Sequence, residues 1–454
     1  MNKRLFGTSG IRGLANLEVS PSLAYEVGRS LADKLREGRV VIGYDTRTSS
    51  QMLTSAIVSG VCSGGLDATI LGMTPTPTLA YLSKALQARA GVMITASHNP
   101  PEYNGIKLFT GGGIAYGRKL QQPIERSVRS GKRRIVHWKS VGEIEFSDES
   151  ERYIKMITEN VVLEKVWNVV VDPGCGAGTL IAPEVLRLLG CKVASINAQA
   201  DGAFPGRSPE PSRENLAGLS RIVRVLKANV GIAYDGDGDR VVFIDERGEF
   251  IHLDRALAAF TSYALRKRKG TVVVPVDTSL SVEETVRQSG GRLVRTKVGD
   301  VYVANAVKKY GAVFGGEPCG AWITPEFHLC PDGILHSVLF LEALEESGEK
   351  PSRFVSRVPK YHLLRRKIAC PERSKRKAMA ETERKLCKYL SKSSKLTRVD
   401  GLGFQIEDGW VLIRPSGTEP ILRVTSEAVS LKSAEKILSE VVQIVENSIR
   451  AVTK

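Results

Sequence analysis

The chain has 454 residues, enough for about three domains at roughly 150 residues each, or four if the units are smaller. Hydrophobic residues make up 42 %, ordinary for a protein with packed cores, and no run approaches the roughly 18 uncharged apolar residues that span a bilayer. The formal charge of +16 (65 basic against 49 acidic residues) comes partly from runs such as Lys132-Arg133-Arg134 and Arg365-Arg366-Lys367; without interleaved aromatics these fit a solvated surface and a small anionic substrate better than nucleic acid.

The opening Met1-Asn2-Lys3-Arg4-Leu5-Phe6-Gly7 turns to glycine and polar residues before a signal-peptide core forms, so no export signal is expected. Three later segments repeat one unit: apolar strand, polar loop, amphipathic helix, strand. The first runs from Val40-Val41-Ile42-Gly43-Tyr44-Asp45 through a helix at 52–61 to Ala68-Thr69-Ile70-Leu71. The second runs from Val169-Val170-Val171-Asp172 through 182–189 to Lys192-Val193-Ala194, and the third from Val272-Val273-Val274-Pro275 through 282–289 to Leu293-Val294. Each helix stops at glycine (Gly64-Gly65, Gly190, Gly290-Gly291). Such units predict parallel sheets covered on both faces, with ligands at the carboxyl ends of strands. The last hundred residues read differently. Pro359 and the charged stretch 372–385 interrupt the pattern, Trp410-Val411-Leu412-Ile413 and Leu422-Arg423-Val424 follow, and a final amphipathic helix spans 432–452, which together suggest a small α+β domain. The seven cysteines (Cys62, Cys175, Cys191, Cys319, Cys330, Cys370, Cys387) are odd in number, scattered and free of any Cys-x-x-Cys. That predicts reduced thiols in a cytoplasm rather than disulfides or structural zinc.

Two loops carry the chemistry. Gly91-Val92-Met93-Ile94 leads into Thr95-Ala96-Ser97-His98-Asn99-Pro100, and Val230-Gly231-Ile232-Ala233 leads, past Tyr234, into Asp235-Gly236-Asp237-Gly238-Asp239-Arg240. A hydroxyl facing three carboxylates and a divalent cation suits covalent carriage of a phosphoryl group. The loops are about 140 residues apart, which predicts two domains meeting at a cleft. Alternate carboxylates on a glycine loop can converge on one hard cation such as Mg²⁺. An EF-hand also alternates its acids, and Glu246 even falls at its twelfth position, but Arg240 stands where that loop needs glycine. An aspartyl-nucleophile phosphatase also begins with a strand and two alternating acids, usually with Thr or Val where Asp239 stands. A plain acidic turn would leave three acids repelling one another. Taken alone, Ser97 before Asn-Pro is more often a turn or cap residue, and His98 more often a packed histidine. Lys107, after Asn104-Gly105-Ile106, adds a cation that can shuttle a proton or stabilise charge. Arg414-Pro415-Ser416-Gly417-Thr418-Glu419 suits a phosphate dianion, and a turn between strands explains it equally well. Asp172-Pro173-Gly174-Cys175-Gly176 lacks a Walker lysine and the full dinucleotide fingerprint, and reads as a strand-to-helix turn.

With these motifs in order along essentially the whole chain, the sequence resembles the α-D-phosphohexomutases. Gly7-Thr8-Ser9-Gly10-Ile11-Arg12-Gly13 is similar to the family's opening motif. The resemblance implies that Ser97 is the phosphorylated residue, that Asp235, Asp237 and Asp239 with the Ser97 phosphate hold one Mg²⁺, and that Arg240 follows them as a substrate contact. It implies that Arg12, Lys107 and His98 serve the chemistry at Ser97, and that Glu317 and Cys319 of Gly316-Glu317-Pro318-Cys319-Gly320 read the sugar. Lys297, Arg414, Ser416, Gly417 and Thr418 complete the implied substrate contacts. It further implies four domains around a central cleft, α/β at 1–150, 151–250 and 251–358 with mixed or parallel sheets, and a smaller α+β domain at 359–454. The implied partner is a phosphorylated hexose, with a hexose 1,6-bisphosphate as activator, in a cytoplasmic monomer or homodimer that engages neither nucleic acid nor membrane.

The departures bear on the substrate. The family's sugar loop commonly reads Gly-Glu-x-Ser-Gly-His; here Cys319 replaces the serine and Ala321, before Trp322, replaces the histidine. Tyr44 also replaces an arginine often found before Asp45-Thr46-Arg47. The Gly-Ile-Arg-Gly opening and compact single chain resemble the archaeal-type phosphoglucosamine mutases, which points to glucosamine 6-phosphate, with glucose and mannose phosphates as alternatives. An aspartyl-nucleophile sugar phosphatase is the rival that explains the acid loop but leaves Ser97 and the Arg414 loop without a role.

Overall fold

The computed structural model of the chain describes residues 4–390, 395–407, 409–416 and 419–453. Its strands form four sheets in succession along the sequence. The first contains β1 (Ile11–Leu14), β2 (Arg39–Tyr44), β3 (Asp67–Met73), β4 (Ala90–Ile94), β5 (Tyr103–Thr110) and β6 (Ile144–Phe146), in the order β1-β5-β4-β2-β3-β6. The second contains β7 (Asn168–Asp172), β8 (Lys192–Ser195), β9 (Val230–Tyr234) and β10 (Val241–Ile244), in the order β10-β9-β7-β8. The third contains β11 (Thr271–Pro275), β12 (Arg292–Thr296), β13 (Phe314–Gly316) and β14 (Trp322–Ile323), in the order β12-β11-β13-β14. The fourth contains β15 (His362–Ala369), β16 (Lys395–Thr397), β17 (Leu402–Ile406), β18 (Gly409–Pro415) and β19 (Ile421–Ala428), in the order β15-β19-β18-β17-β16.

The three repeated units appear as β2-helix-β3, β7-helix-β8 and β11-helix-β12, with helices Ser50–Ser63, Ala182–Leu188 and Leu280–Gln288, and each strand pair is parallel. Their inner strands read as unbroken apolar runs because both faces are covered. The sheets are not parallel throughout. β5 runs antiparallel to β4, β10 to β9 and β14 to β13. The reason is local: β4 to β5 and β9 to β10 are joined by short loops, and a short connection can only return the chain antiparallel. Both chemical loops are therefore hairpin connections at the carboxyl ends of β4 and β9.

The second and third sheets share one apolar core, in which Phe243 of β10 stacks on Phe340 at 3.9 Å and Trp322 of β14 stacks on Phe260 at 5.1 Å. The first and fourth sheets have cores of their own. The fourth sheet is antiparallel throughout, so the repeat of parallel strand-helix-strand units ends before it, as expected. Residues 372–385 fall largely in helix Lys375–Tyr389, which buries Ala378, Thr382 and Leu386 at successive four-residue steps, together with Lys375 at its start. The last helix is Leu431–Thr453.

Trp410-Val411-Leu412-Ile413 looks uniformly apolar because the two faces of β18 pack on different partners. Val411 and Ile413 face the helices of their own domain, whereas Trp410 and Leu412 pack on Val276 with Leu280 and Val298 beside them. Glu427 clasps this junction. Its carboxylate accepts hydrogen bonds from Ser279 Oγ (2.5 Å), the Leu280 N–H (2.7 Å) and Trp410 Nε1 (2.6 Å), with no exposed surface. Glu427→Ala leaves the two N–H donors unmatched at roughly 1–3 kcal/mol each. It is expected to lower the unfolding temperature by several degrees and to raise hydrogen exchange at Leu280; unchanged protection there would show that the clasp contributes nothing.

Candidate active site

The acid loop is built by close backbone approach. A Cβ at Gly236 would lie 2.5 Å from the Ser97 carbonyl oxygen, and Gly238 turns with φ +72°, so both positions call for glycine. The result gathers one oxygen from each of Asp235, Asp237 and Asp239 within 4.8 Å of one another, all three side chains buried. Burial and the neighbouring Asp239 and Asp237 hold Asp235 well above the usual carboxylate range, and burial and Asp237 raise Asp239. Burial also opposes the charge of Asp237, but Lys107 outweighs it and holds this carboxyl below the usual range. Lys107 Nζ lies 2.6 Å from Asp237 Oδ2 and 2.8 Å from Asp239 Oδ2. Burial works against the ammonium as well, yet Asp237 and Asp239 keep it above its ordinary value.

The serine loop meets this cluster. Ser97 Oγ donates to Asp235 Oδ2 at 2.6 Å and lies 3.2 Å from His98 Nδ1. Ser97 sits at φ +54°, a left-handed conformation that strains an L-residue by roughly 1–2 kcal/mol. What holds it there is Arg47, whose guanidinium donates to the carbonyls of Ser97 (2.8 Å), Asn99 (2.6 Å), Pro100 (2.5 Å) and Tyr103 (2.8 Å). Asp45 anchors Arg47 and accepts from Thr95 Oγ1 at 2.7 Å, and Thr95 Oγ1 in turn accepts the Ser97 N–H at 2.8 Å. His98 is pushed down to about 2 by burial and by the Arg240 and Arg12 guanidiniums, so its ring is neutral and its 3.7 Å approach to Glu210 is not an ion pair. Arg12 donates to Asn99 Oδ1 at 3.0 Å, and the Arg240 N–H donates to Asp235 Oδ1 at 3.2 Å.

The donor set fits a hard divalent cation. Asp237 Oδ1 and Asp239 Oδ1 are buried and have no hydrogen-bond partner, beside a third carboxylate and a hydroxyl. Orphaned carboxylate oxygens at such depth are costly unless a cation satisfies them, and an all-oxygen set suits Mg²⁺.

The remaining candidates lie further out. Glu317 is buried, accepts the Gly299 N–H at 2.9 Å, and is pushed up to about 8 by burial and by Asp300 and Asp277. Cys319 stands close enough to Arg240 to feel its charge, and burial pushes its thiol up to about 12. Trp322 points into the shared core. Lys297 is exposed between β12 and helix Asp300–Tyr310. Arg414 is the next-to-last residue of β18, half-buried, 3.3 Å from Asp400; Ser416 Oγ accepts the Glu419 N–H at 3.1 Å, and Lys375 Nζ donates to the Ser416 carbonyl at 2.6 Å. Asp400, Lys375 and Glu419 all belong to the fourth sheet's domain, so these contacts shape the Arg414 loop from its own side of the cleft. Gly417 and Thr418 lie outside the described residues. Asp45, Arg47 and Thr76 were missed by sequence reasoning. The signal for the first two was an Asp-x-Arg turn after an apolar strand; Thr76 was hidden in Thr74-Pro75-Thr76-Pro77, where the prolines read as breakers although they sit at a helix start.

Residues 3–134, 151–248 and 252–361 match α/β/α domains I, II and III of phosphoglucomutase/phosphomannomutase, and 367–444 match its C-terminal domain. A protein of Thermococcus gammatolerans described as a "probable phosphoglucosamine mutase" is 44 % identical over 98 % of this chain and 99 % of its own. One from Methanothermobacter thermautotrophicus with the same description is 43 % identical over 96 % of each. A solved phosphoglucomutase/phosphomannomutase family protein of Burkholderia thailandensis superposes with TM-score 0.89 at 26 % identity, covering 99 % of this chain and 98 % of that one. The chain belongs to the phosphoglucomutase/phosphomannomutase family. It is a mutase, an enzyme that transfers a phosphoryl group within a hexose phosphate. Among the described residues no helix is long and apolar enough to cross a membrane.

Glu317 makes stability depend on pH. The folded protein keeps its proton up to about 8, whereas the unfolded chain releases it near 4.5, so this residue's contribution is fully present below 4.5 and is lost as pH rises through 8. Glu317→Gln removes that loss. The melting temperature of Glu317→Gln minus that of the unmutated protein is expected to increase between pH 5 and pH 8; a constant difference would mean that the carboxyl is solvated in the folded state.

Proposed function

We propose that the enzyme interconverts glucosamine 6-phosphate and glucosamine 1-phosphate through a phosphoserine at Ser97. The observation that carries the reading is the 2.6 Å contact between Ser97 Oγ and Asp235 Oδ2, which sets one hydroxyl against a buried triad of carboxylates. The full-length likeness to proteins described as phosphoglucosamine mutases supports the choice of sugar. The working unit would be the four-domain chain, divided at 1–150, 151–250, 251–358 and 359–454.

Phosphorylated Ser97 donates to the free hydroxyl of the bound sugar, giving a 1,6-bisphosphate; after this turns over in the cleft, its other phosphate returns to Ser97. A free hexose 1,6-bisphosphate activates by reloading the serine. Asp235, Asp237 and Asp239 would hold Mg²⁺, which neutralises phosphoryl charge when bound. Lys107, kept charged between Asp237 and Asp239, stabilises charge rather than acting as a base in this state. Neutral His98, 3.2 Å from Ser97 Oγ, is placed to exchange a proton with it. Arg12 and Arg240, whose charges are felt at His98, supply positive charge beside the serine loop. Ser97 is 1 % exposed, which shields a phosphoserine from water.

Glu317, neutral in the empty cleft at pH 7, gains its charge when an ammonium at C2 of the sugar pairs with it. With Cys319 and Ala321 in place of a hydroxyl and an imidazole, discrimination against other hexoses weakens. Lys297, Arg414, Ser416, Gly417 and Thr418 are assigned to the substrate's phosphate and ring.

Intact-mass measurement is expected to show a phosphate adduct on the unmutated enzyme and none on Ser97→Ala, which should lose most turnover. An adduct that persists in Ser97→Ala and vanishes in Asp235→Asn would establish the phosphatase chemistry instead. With glucosamine, glucose and mannose 6-phosphates, kcat/KM should be highest for glucosamine, and Glu317→Gln should erase that preference. A strong bias toward glucose or mannose would refute the amino-sugar assignment and leave the mutase assignment standing.

A further inference from the structure

We infer that Thr76, a residue of the first sheet's domain with no part in the transfer itself, is the positioning residue that divides the Asp237 carboxylate into a clamped oxygen and a metal-facing one. The inference rests on the proposed metal site. Thr76 is the first residue of helix Thr76–Ala85, preceded by Pro75, and is 1 % exposed. It grips Asp237 at two points: its N–H donates to the Asp237 carbonyl at 2.9 Å, and its hydroxyl donates to Asp237 Oδ2 at 2.5 Å. Lys107 Nζ approaches the same Oδ2 at 2.6 Å. All the described donors to this carboxylate therefore converge on one oxygen, and Oδ1 is left buried and without a partner.

That asymmetry is what a pre-organised monodentate ligand requires. A carboxylate free to rotate presents either oxygen; one whose Oδ2 is saturated by a hydroxyl and an ammonium presents the other in a single rotamer. Lys107 alone cannot fix it, because its Nζ is shared with Asp239 Oδ2 at 2.8 Å and sits on a flexible stem. Thr76 is short, β-branched and anchored by its own backbone bond to the same residue, so its hydroxyl has little freedom. Pro75 completes the fit: a Cβ at Gly238, in the loop that carries the acids, would lie 3.4 Å from the proline ring. A start of helix in one domain thus sets the aim of a carboxylate in the next, and hydrogen-bond partners of this kind typically govern metal affinity by tenfold to a hundredfold.

The test is Mn²⁺ binding to the unphosphorylated protein, followed by electron paramagnetic resonance, with turnover measured separately as a function of Mg²⁺. Thr76→Val keeps the shape and removes the hydroxyl. It should weaken Mn²⁺ binding about tenfold or more and raise the Mg²⁺ needed for half-maximal turnover, while KM for the hexose phosphate stays within about twofold. Thr76→Ser restores the hydroxyl and should bring affinity back to within about threefold. If Thr76→Val fails to fold, Thr76→Ala is measured with the same expectation. The inference is overturned if the hydroxyl-free variant binds Mn²⁺ like the unmutated protein, or if Thr76→Ser is as weak as that variant, which would make the effect one of packing. Asp235→Asn separates the two layers: it should abolish Mn²⁺ binding, and unchanged binding there would sink the metal site itself and the role of Thr76 with it.

Discussion

Three carboxylates cannot share a buried loop without compensation, and the structure is organised around supplying it. Lys107 spans Asp237 and Asp239 from β5, so the ion pair that stabilises the acid loop is also a bridge from the first sheet to the second. Removing either side would leave uncompensated charge away from water, which is far more damaging than losing an exposed pair. The geometry of the cleft follows. The hairpin after β4 must present Ser97 where the hairpin after β9 presents Asp235, and Lys107 returns on β5 directly behind.

The serine loop shows how strain is held in place. Ser97 adopts a backbone conformation it would not choose, and the buried Arg47 secures it by donating to four carbonyls of the loop. Strain of this kind persists only where the surroundings over-determine it. Here Asp45 orients the arginine, Thr95 links Asp45 to the Ser97 N–H, and the Phe204 ring lies over the guanidinium at 5.2 Å. The hydroxyl is thereby fixed before any substrate arrives, which is the condition for a proximity effect.

The outer part of the site has a different character. The fourth sheet's domain meets the third's through the apolar contact around Trp410, the Glu427 clasp and hydrogen bonds such as that from the Val298 N–H to Asp400 (3.2 Å), whereas the second and third sheets share a continuous aromatic core. Asp235, which faces Ser97, follows β9 of that shared core, whereas Ser97 itself follows β4 of the first sheet. The Arg414 loop stands on the fourth sheet, with Asp400 beside Arg414 also accepting the Val298 N–H from the third sheet's domain.

Much was legible in the sequence, and the reason is periodicity and spacing. Unbroken valine runs bounded by helices and glycine stops predicted the parallel strand pairs, because a strand buried on both faces leaves that pattern. Alternating aspartates separated by glycines marked a convergent acid loop, because each glycine stands where a Cβ would meet neighbouring backbone or where the chain turns left-handed. What the sequence could not decide was which distant groups answer one another. The charged stretch at 372–385 is made largely of helix formers, and only folding shows that its sparse apolar residues pack into the core the fourth sheet shares with the last helix. Arg47 stood in an Asp-x-Arg turn and Thr76 carried no signal of its own, and only folding aimed one at four carbonyls and the other at a single carboxylate oxygen. Tertiary structure likewise decided the charge states: in water His98 would stay near its ordinary value and Glu317 would be ionised, and both are neutral here because of burial first, helped by Arg240 and Arg12 at His98 and by Asp300 and Asp277 at Glu317.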